Sequence, residues 1–575
     1  MKNLSKIISI APIFIIVFAS FFLNLWGINH DLPYCYEHDE LSYIFGGLSC
    51  GKGNVQASIG GHGSFLFYFL FIEYAVLYLI KLLTGQIRSG ADFMLYYLRH
   101  PAVFLLIGRV SIAIFATASV CLIYKIGKKL INKYVGYLAA LFLACNLLFI
   151  NLTHVIKEDI PGTFFLLFSF WYAINARNDK KLYYFLSAFL LGVAVSARYL
   201  AAFGLIFIIA RLLIETKSIK AIIRSILLIG IGAALGFFIM EPFALVYMNK
   251  FIKVLLEVKR CTYNLPMGED FSKMSGYLYV VYLKRAMGIN LLIAFLLSFL
   301  LIFKRDKFKI NILFLPYIIL YLLFLSLEAH AQPNFIMVVL PFICLYIAIG
   351  VEEVIGIYWS RNSNKAFVFL IAAVILAAPD FMNVLRYDYL LTRPDTRAVA
   401  KSWIEKNIPQ NTSILLEGSF PWEITYNVPL VENKSCLEDE IKKIKSSGGS
   451  GELWRMRISL LDSIKSTKYY IHKAGRFGSA EILEYEYDQE PQYIITTSYF
   501  DHGLTISLKD RAMFYDKLLK KYTLVQRFVA NPYIVWFPSF NTLMTNPENL
   551  KFVNFLGKNK NLIAGPNISI YKRRT

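Results

Sequence analysis

Long apolar runs alternate with short basic segments over the first two thirds of the chain. Eleven such runs occur, at 7–26, 101–123, 135–152, 160–176, 182–197, 200–214, 222–247, 288–303, 311–327, 335–355 and 366–382. Most of them have the ~17–25 residues that a helix needs to cross about 30 Å of hydrocarbon. The first run lacks a small-x-small cleavage site, so we expect it to stay as the first span. The pattern predicts a polytopic α-helical membrane protein of about eleven spans.

The basic segments predict the orientation, because lysine and arginine near span ends stay in the cytoplasm. They lie at 2–6, 125–133, 177–181, 217–224, 304–309 and 361–365. All of them are inside only if an even number of crossings separates each from the next. That condition requires the apolar stretch 65–83 not to span, so we predict that it lies as a helix in the outer interface. The N-terminus is then inside and the C-terminus outside.

One loop departs from this rule. The same parity places residues 249–287 outside, although this loop carries seven lysines and arginines against three acids. A basic external loop is suited to holding an anionic lipid.

Composition supports the membrane assignment, with 57% hydrophobic residues and a mean hydropathy of +0.51. The net charge of +21 is dispersed over the predicted inside loops and the tail, which disfavours a nucleic-acid partner. The seven cysteines show no zinc-site spacing. Cys35 and Cys50 share the first external loop and are suited to pairing in an oxidising compartment.

The pattern changes after about residue 385. It predicts an N-capped amphipathic helix that ends at Pro409, buried strands at 413–417 and 493–498, a second amphipathic helix at 513–525 and a last strand at 568–571. We therefore predict a transmembrane domain over 1–384, which includes the first external loop 27–100, and a small extracytoplasmic α/β domain over 385–575.

Ionisable residues gather at span ends on the predicted outer side. Asp39 and Glu40 follow the first run, the stretch from His154 to Asp159 ends the third, and Arg198 ends the fifth. Ionisable groups beside hydrocarbon are costly, and they are functional-site candidates by default. The sequence therefore predicts a reaction centre at the outer membrane surface.

Several short motifs follow one another along the chain. They are Asp39-Glu40-Leu-Ser-Tyr43, Arg109-Val-Ser111, Tyr134–Ala140, His154-x4-Asp159-x-Pro161, Gly192–Tyr199 and Asp395–Pro409. Together they resemble the GT-C superfamily of membrane glycosyltransferases, in its family 39-like branch. Protein O-mannosyltransferases and the lipid A aminoarabinose transferase belong to that branch. The resemblance covers nearly the whole chain.

The resemblance implies transfer of a sugar, with inversion, from a polyprenyl-phosphate donor to an acceptor hydroxyl on a lipid, glycan or protein. The carrier would be undecaprenyl phosphate in a bacterium or dolichyl phosphate in an archaeon. Asp39 would be the general base that the attacking hydroxyl needs. Asp159 would be a second catalytic carboxylate, and Glu40 would orient the acceptor or a helix end. Arg198 would hold the donor phosphate through its guanidinium fork.

Other residues would shape this site. His154 would be a hydrogen-bond partner of Asp159, and Tyr43 and Tyr199 would line the site. Lys157 and Glu158 are expected to be solvated.

One family feature is missing. An Arg-Tyr pair before Leu-Pro in many relatives is Asn334-Phe335 here, so another cation would be needed, such as His330 or the basic loop 249–287. We expect no metal, because the Trp-Trp-Asp motif of the metal-dependent oligosaccharyltransferase branch is absent. A Mn²⁺ or Mg²⁺ site made by Asp39, Asp159 and His154 is the alternative.

Simpler interpretations stay open for these residues. Asp39 and Glu40 could begin a solvated helix, Asp159 could be a helix cap, and Arg198 could be a snorkelling residue. A transporter or flippase, or a scaffold without catalysis, are the rival functions. Charges at span ends on one side and the lack of an internal repeat favour an enzyme over a transporter.

Overall fold

The computed structural model describes residues 2–53, 62–177, 181–258, 275–328, 331–359, 365–418, 427–474, 490–498, 508–530 and 563–574. Up to residue 391 the regular elements of the described chain are all helices. Its helices are α1 Lys2–Leu25, α2 His38–Gly51, α3 Phe65–Leu83, α4 Gly90–Arg99, α5 Pro101–Leu130, α6 Lys133–Ala144, α7 Leu147–Thr153, α8 Asp159–Asn175, α9 Leu182–Ala197, α10 Leu205–Glu215, α11 Ile219–Met240, α12 Pro242–Val246, α13 Met248–Val258, α14 Ser275–Ser298, α15 Phe308–Leu327, α16 Leu340–Trp359 and α17 Lys365–Leu391.

Length and composition identify the helices that can cross a membrane. In the described ranges seven single helices qualify, and α6 and α7, bent by 60° at their junction, make an eighth if they count as one span. The prediction of a polytopic helical membrane protein is confirmed, whereas the count of eleven spans stays a prediction. The stretch 65–83 is the helix α3, which is long and apolar enough to cross. Its placement in the outer interface also stays a prediction.

Some predicted runs are interrupted. The run 222–247 divides between α11 and α12 at Pro242, whose ring nitrogen carries no hydrogen for the helix ladder. The runs 200–214 and 335–355 begin with 3₁₀ turns over Tyr199–Gly204 and Pro333–Val338. The first of these turns places Arg198 at the end of α9 rather than inside a longer helix.

The C-terminal part is an α/β unit. Its elements are α18 Thr396–Asn407, β1 Ser413–Glu417, β2 Val431–Glu432, α19 Lys434–Ser446, α20 Glu452–Leu460, β3 Lys468–Ala474, β4 Tyr493–Thr497, α21 Leu508–Lys521, β5 Tyr522–Phe528 and β6 Ile568–Arg573. The described strands form one sheet in the order β2-β3-β1-β4-β6-β5. Its first four strands are parallel, and β6 and β5 are antiparallel to their neighbours.

Most of the predicted C-terminal elements are confirmed. The side chain of Asp395 caps α18 at the backbone N–H of Arg397, and the strands at 413–417 and 493–497 are buried. The second helix was predicted wrongly at 513–525. It ends at Lys521, because the apolar and β-branched residues from Tyr522 onward pair with β6 instead.

The C-terminal unit contacts the segment 26–37, which connects α1 to α2. The guanidinium of Arg397 lies 3.4 Å from the ring centre of Tyr36, and Asp395 holds that guanidinium at 2.7 and 2.8 Å. The ammonium of Lys401 lies 5.7 Å from the ring centre of Tyr34. The C-terminal unit therefore lies against the end of the helical region that carries the segment 26–37.

This arrangement leads to a topological prediction. A cysteine at Ser450, which is exposed between α19 and α20, should react with a membrane-impermeant maleimide in intact cells. A cysteine at Lys128, in a predicted inside segment, should react only after lysis. The reverse pattern would contradict the orientation that the basic segments predict.

Candidate active site

Asp39 lies in the first turn of α2 and forms an ion pair with Lys157. The Oδ2 atom of Asp39 is 2.6 Å from the Nζ atom of Lys157, and both side chains are nearly buried. Burial alone would lower the pKa of Lys157, but Asp39, with help from Glu37, raises it well above its usual range. The expectation that Lys157 is solvated is wrong. The lysine is the buried counter-ion of the predicted base.

Glu40 is fixed by hydrogen bonds from Arg109 and from the backbone. Its carboxylate accepts from the Nε and Nη2 atoms of Arg109 at 2.8 and 2.7 Å. It also accepts from the backbone N–H of Ile156 at 3.0 Å. This fully buried pair ties the first turn of α2 to the loop 154–158. Of the two predicted roles of Glu40, the geometry fits the orientation of a helix end.

Arg198 lies between two carboxylates that are adjacent in sequence. Its Nη1 atom is 2.5 Å from Oε1 of Glu158, and its Nη2 atom is 3.2 Å from Oδ1 of Asp159. Its guanidinium also lies 5.3 Å from the ring centre of Phe335. Arg198 is 11% exposed, so it is a partly buried residue of this cluster rather than a snorkelling cation.

Glu158 was expected to be solvated, and this expectation is wrong. It is buried and accepts a hydrogen bond from the hydroxyl of Tyr43. Burial alone would raise the pKa of Glu158, but the neighbouring charges of Arg198 and His62 lower it well below its usual range. Glu158 therefore stays ionised and joins α2, α8 and the end of α9.

His62 is a site residue that the sequence interpretation missed. Its Nδ1 atom lies 3.3 Å from the hydroxyl oxygen of Tyr43 and 3.9 Å from Oε1 of Glu158. The side chain of His62 is 45% exposed. Desolvation of its ring opposes protonation, but the neighbouring Glu158 raises the pKa of His62 above its usual value. Tyr199 donates to the backbone carbonyl of His62 at 3.4 Å, so both predicted tyrosines lie here. The available signal was a histidine between glycines, Gly61-His62-Gly63.

Two glycines allow this close packing. A Cβ atom at Gly63 would lie 2.1 Å from the backbone oxygen of Ser196, and one at Gly162 would lie 2.8 Å from the Cβ of Arg198. Neither position has room for a side chain without moving the segment that carries Arg198.

His154 is not the partner of Asp159. Its ring nitrogens face the backbone carbonyls of Ile150 at 2.8 Å and Trp26 at 3.0 Å, and Asp388 lies 3.8 Å away. The prediction is wrong because His154 follows the short α7 and turns back towards the segment after α1. His154 is thereby separated from the cluster around Arg198.

Three further predictions concern neighbouring residues. His330 lies outside the described residues. Cys35 and Cys50 are not bonded to each other, so the suggested disulfide is wrong, and the thiol of Cys35 donates to the carbonyl of Glu37 instead. Where the chain is described, no three histidine, cysteine or acidic side chains are close enough to share a metal ion.

The family described as dolichyl-phosphate-mannose-protein mannosyltransferase matches residues 106–255, which include Arg109, the loop 154–158 and Arg198. No curated protein sequence matches the chain.

Several solved structures are similar to this chain at low sequence identity. The oligosaccharyltransferase of Archaeoglobus fulgidus in its apo form is similar over 92% of this chain and 74% of its own, with a TM-score of 0.50 and 11% identity. The protein ArnT of Cupriavidus metallidurans bound to undecaprenyl phosphate is similar over 87% of this chain and 95% of its own, with a TM-score of 0.48 and 9% identity. The archaeal oligosaccharyltransferase AglB of A. fulgidus, in complex with an inhibitory peptide and a dolichol-phosphate, covers 99% and 89%, with a TM-score of 0.49 and 12% identity.

Proposed function

We propose that this chain transfers a sugar from a polyprenyl-phosphate donor to an acceptor hydroxyl, as a membrane glycosyltransferase of the GT-C type. The match to the dolichyl-phosphate-mannose-protein mannosyltransferase family over residues 106–255 supports the proposal, and so does the similarity of fold to an archaeal oligosaccharyltransferase. The acceptor is a lipid, glycan or protein at the outer face of the plasma membrane, and the sugar is transferred with inversion. One observation carries this proposal. The consecutive residues Lys157, Glu158 and Asp159 join Asp39 on one side to Arg198 on the other.

Asp39 supplies the base. The acceptor hydroxyl loses its proton as its oxygen attacks the anomeric carbon, so a carboxylate must stand within hydrogen-bond reach of that oxygen. The ammonium of Lys157 lies 2.6 Å from Oδ2 of Asp39 and holds this carboxylate in position. Asp39 is also slightly exposed, at 11%, so an acceptor has access to it.

Arg198 and Lys157 receive the donor phosphate. As the bond between the sugar and the phosphate breaks, the phosphate keeps the electron pair, and a nearby cation stabilises the charge that develops. Many relatives carry an Arg-Tyr pair where this chain has Asn334-Phe335, so the tenth predicted span lacks one cation. Lys157 supplies that second cation. Phe335 instead packs beside the guanidinium of Arg198.

The function is tested with purified protein and a polyprenyl-phosphate sugar, supplied as both the undecaprenyl and the dolichyl form. Arg198→Ala should raise the apparent donor KM about 10–150-fold, since one charge-assisted contact contributes ~1.5–3 kcal/mol. Arg198→Lys should have a smaller effect because it keeps the charge.

Arg211→Ala is the matched control. Arg211 is a partly buried arginine paired with Glu215 on α10, and its replacement should leave the donor KM unchanged. An unchanged donor KM in Arg198→Ala would remove Arg198 from the site. A wild-type protein that transfers sugar from neither donor would favour a transporter or scaffold instead.

A further inference from the structure

The helices α12 and α13 follow α11 along the chain and lie beside the candidate site. Glu241 follows α11, and its carboxylate accepts hydrogen bonds from the backbone N–H and the hydroxyl of Ser64 at 3.0 and 2.6 Å. Pro242 then begins α12. The end of α11 is thereby attached to the start of α3, two residues after His62.

One face of α13 packs against the protein. Phe251 is buried, and its ring centre lies 6.3 Å from that of Tyr199 and 6.1 Å from that of Phe237. Leu255, one turn further, belongs to the same apolar cluster. Because Tyr199 follows Arg198 directly, this face links α13 to the cation of the candidate site.

The rest of α13 divides into an apolar and a polar sector. Met248, Ile252 and Leu256 recur every four residues, which places them along one edge of the helix, and all three are exposed. Asn249, Lys253 and Glu257 form the next edge, and Lys250 lies beside them. All four of these polar residues are exposed as well.

The apolar edge continues a lipid-facing surface. Leu245 and Val246 of α12 are 56% and 68% exposed, and α11 before them exposes Ile231, Leu235 and Ile239. Since α11 can span a membrane, hydrocarbon is the medium that covers its exposed residues. The helix α13 extends this apolar surface, and lysines lie along its adjoining edge. This pattern is typical of a helix that lies in a membrane interface.

We propose that α12 and α13 form a platform that lies in the outer interface and binds the anionic headgroups of phospholipids through Lys250 and Lys253. The platform would hold a layer of negative lipid phosphates beside the segment that carries Arg198. This proposal does not depend on sugar transfer. It concerns the surface that surrounds the site and would hold for a transporter as well.

The first experiment tests the placement. A fluorescent NBD label on Ile252→Cys is measured in vesicles and compared with the same label on Ser450→Cys. Wild-type protein carried through the same labelling gives the background from native cysteines. Doxyl-labelled lipid should quench the label at 252 and iodide should not, with the opposite result at 450. Quenching by iodide alone at 252 would overturn the platform and would leave this face to water or to a protein partner.

The second experiment tests the headgroup preference. Doxyl-phosphatidylglycerol should quench the label at 252 more than doxyl-phosphatidylcholine at the same mole fraction. Each lysine near an anionic surface should contribute roughly fivefold to the local enrichment, which is ~1 kcal/mol converted at room temperature. Lys250→Gln with Lys253→Gln should abolish the preference and leave the quenching by phosphatidylcholine unchanged.

The control is the pair Lys434→Gln and Lys442→Gln, two exposed lysines of α19. It should keep the preference for phosphatidylglycerol. The headgroup assignment would be overturned if the two lipids quench equally in the protein that is labelled at 252 and keeps Lys250 and Lys253. No sugar donor is present in either experiment, so these results are independent of the proposed transferase activity.

Discussion

Asp39→Asn should lower turnover by about 10²–10⁴-fold, the usual contribution of a positioned general base. Asparagine keeps the shape of the side chain but cannot accept a proton from the acceptor hydroxyl. The apparent donor KM should stay near that of the wild-type protein, because Arg198 keeps its contacts. Turnover and donor KM are measured on purified protein, together with the midpoint of thermal unfolding.

A matched control separates the loss of a base from the loss of an ion pair. Glu405 pairs with Lys401 at 2.9 Å in the C-terminal unit, where the lysine is also nearly buried. Glu405→Gln removes a carboxylate from such a lysine far along the chain and should leave turnover unchanged. If Asp39→Asn loses stability but keeps its turnover, Asp39 is a structural partner of Lys157, and His62 becomes the next candidate base.

Arg109→Met should destabilise the protein by ~3–5 kcal/mol, because it leaves the carboxylate of Glu40 buried without its counter-ion. Arg109 is 1% exposed and Glu40 is fully buried, so water cannot replace the lost contacts. The midpoint of thermal unfolding in detergent measures the effect. Turnover should fall as well, since the pair fixes the turn of α2 that carries Asp39.

A second substitution tests the cause. Glu40→Gln combined with Arg109→Met removes both charges and keeps an acceptor for the N–H of Ile156, so it should recover more than half of the lost stability. Arg211→Met, which breaks a more exposed arginine–glutamate pair, should cost less than about 1 kcal/mol. Equal losses in Arg109→Met and Arg211→Met would contradict the assigned role of the buried pair.

The sequence predicted the cluster best where polar residues stand at the ends of apolar runs. Parity of the basic segments brought Asp39, Asp159 and Arg198 to one side, and the structure places Lys157 and Glu158 between them. The prediction that Lys157 and Glu158 themselves are solvated was wrong. Charged residues between two helices look solvated in a sequence, and their burial depends on partners that lie 40 to 120 residues away along the chain.

His154 illustrates a second limit. Spacing from Asp159 suggested a contact, but the direction of a side chain after a short helix such as α7 depends on how that helix is packed. The strands β1, β4 and β6 were predicted because they are short apolar runs, whereas β2 and β3 were missed. The change from α21 to β5 was not, since the residues around Lys521 alternate in a way that suits either element and only pairing with β6 decides between them.

The carboxylates of Glu158 and Asp159, which pair with Arg198, compete with an incoming phosphate for its guanidinium. Any phosphate that binds the guanidinium competes with Glu158 and Asp159 for its N–H groups, and these two carboxylates are held in place by the chain itself. A soluble phosphate anion meets them at its bulk concentration, whereas a lipid-linked phosphate is confined to the bilayer surface and has a far higher effective concentration there. The contacts of Arg198 with its own two carboxylates therefore set a threshold for binding. Arg198 should ignore dissolved anions of the external medium and respond to phosphates that arrive anchored in the membrane.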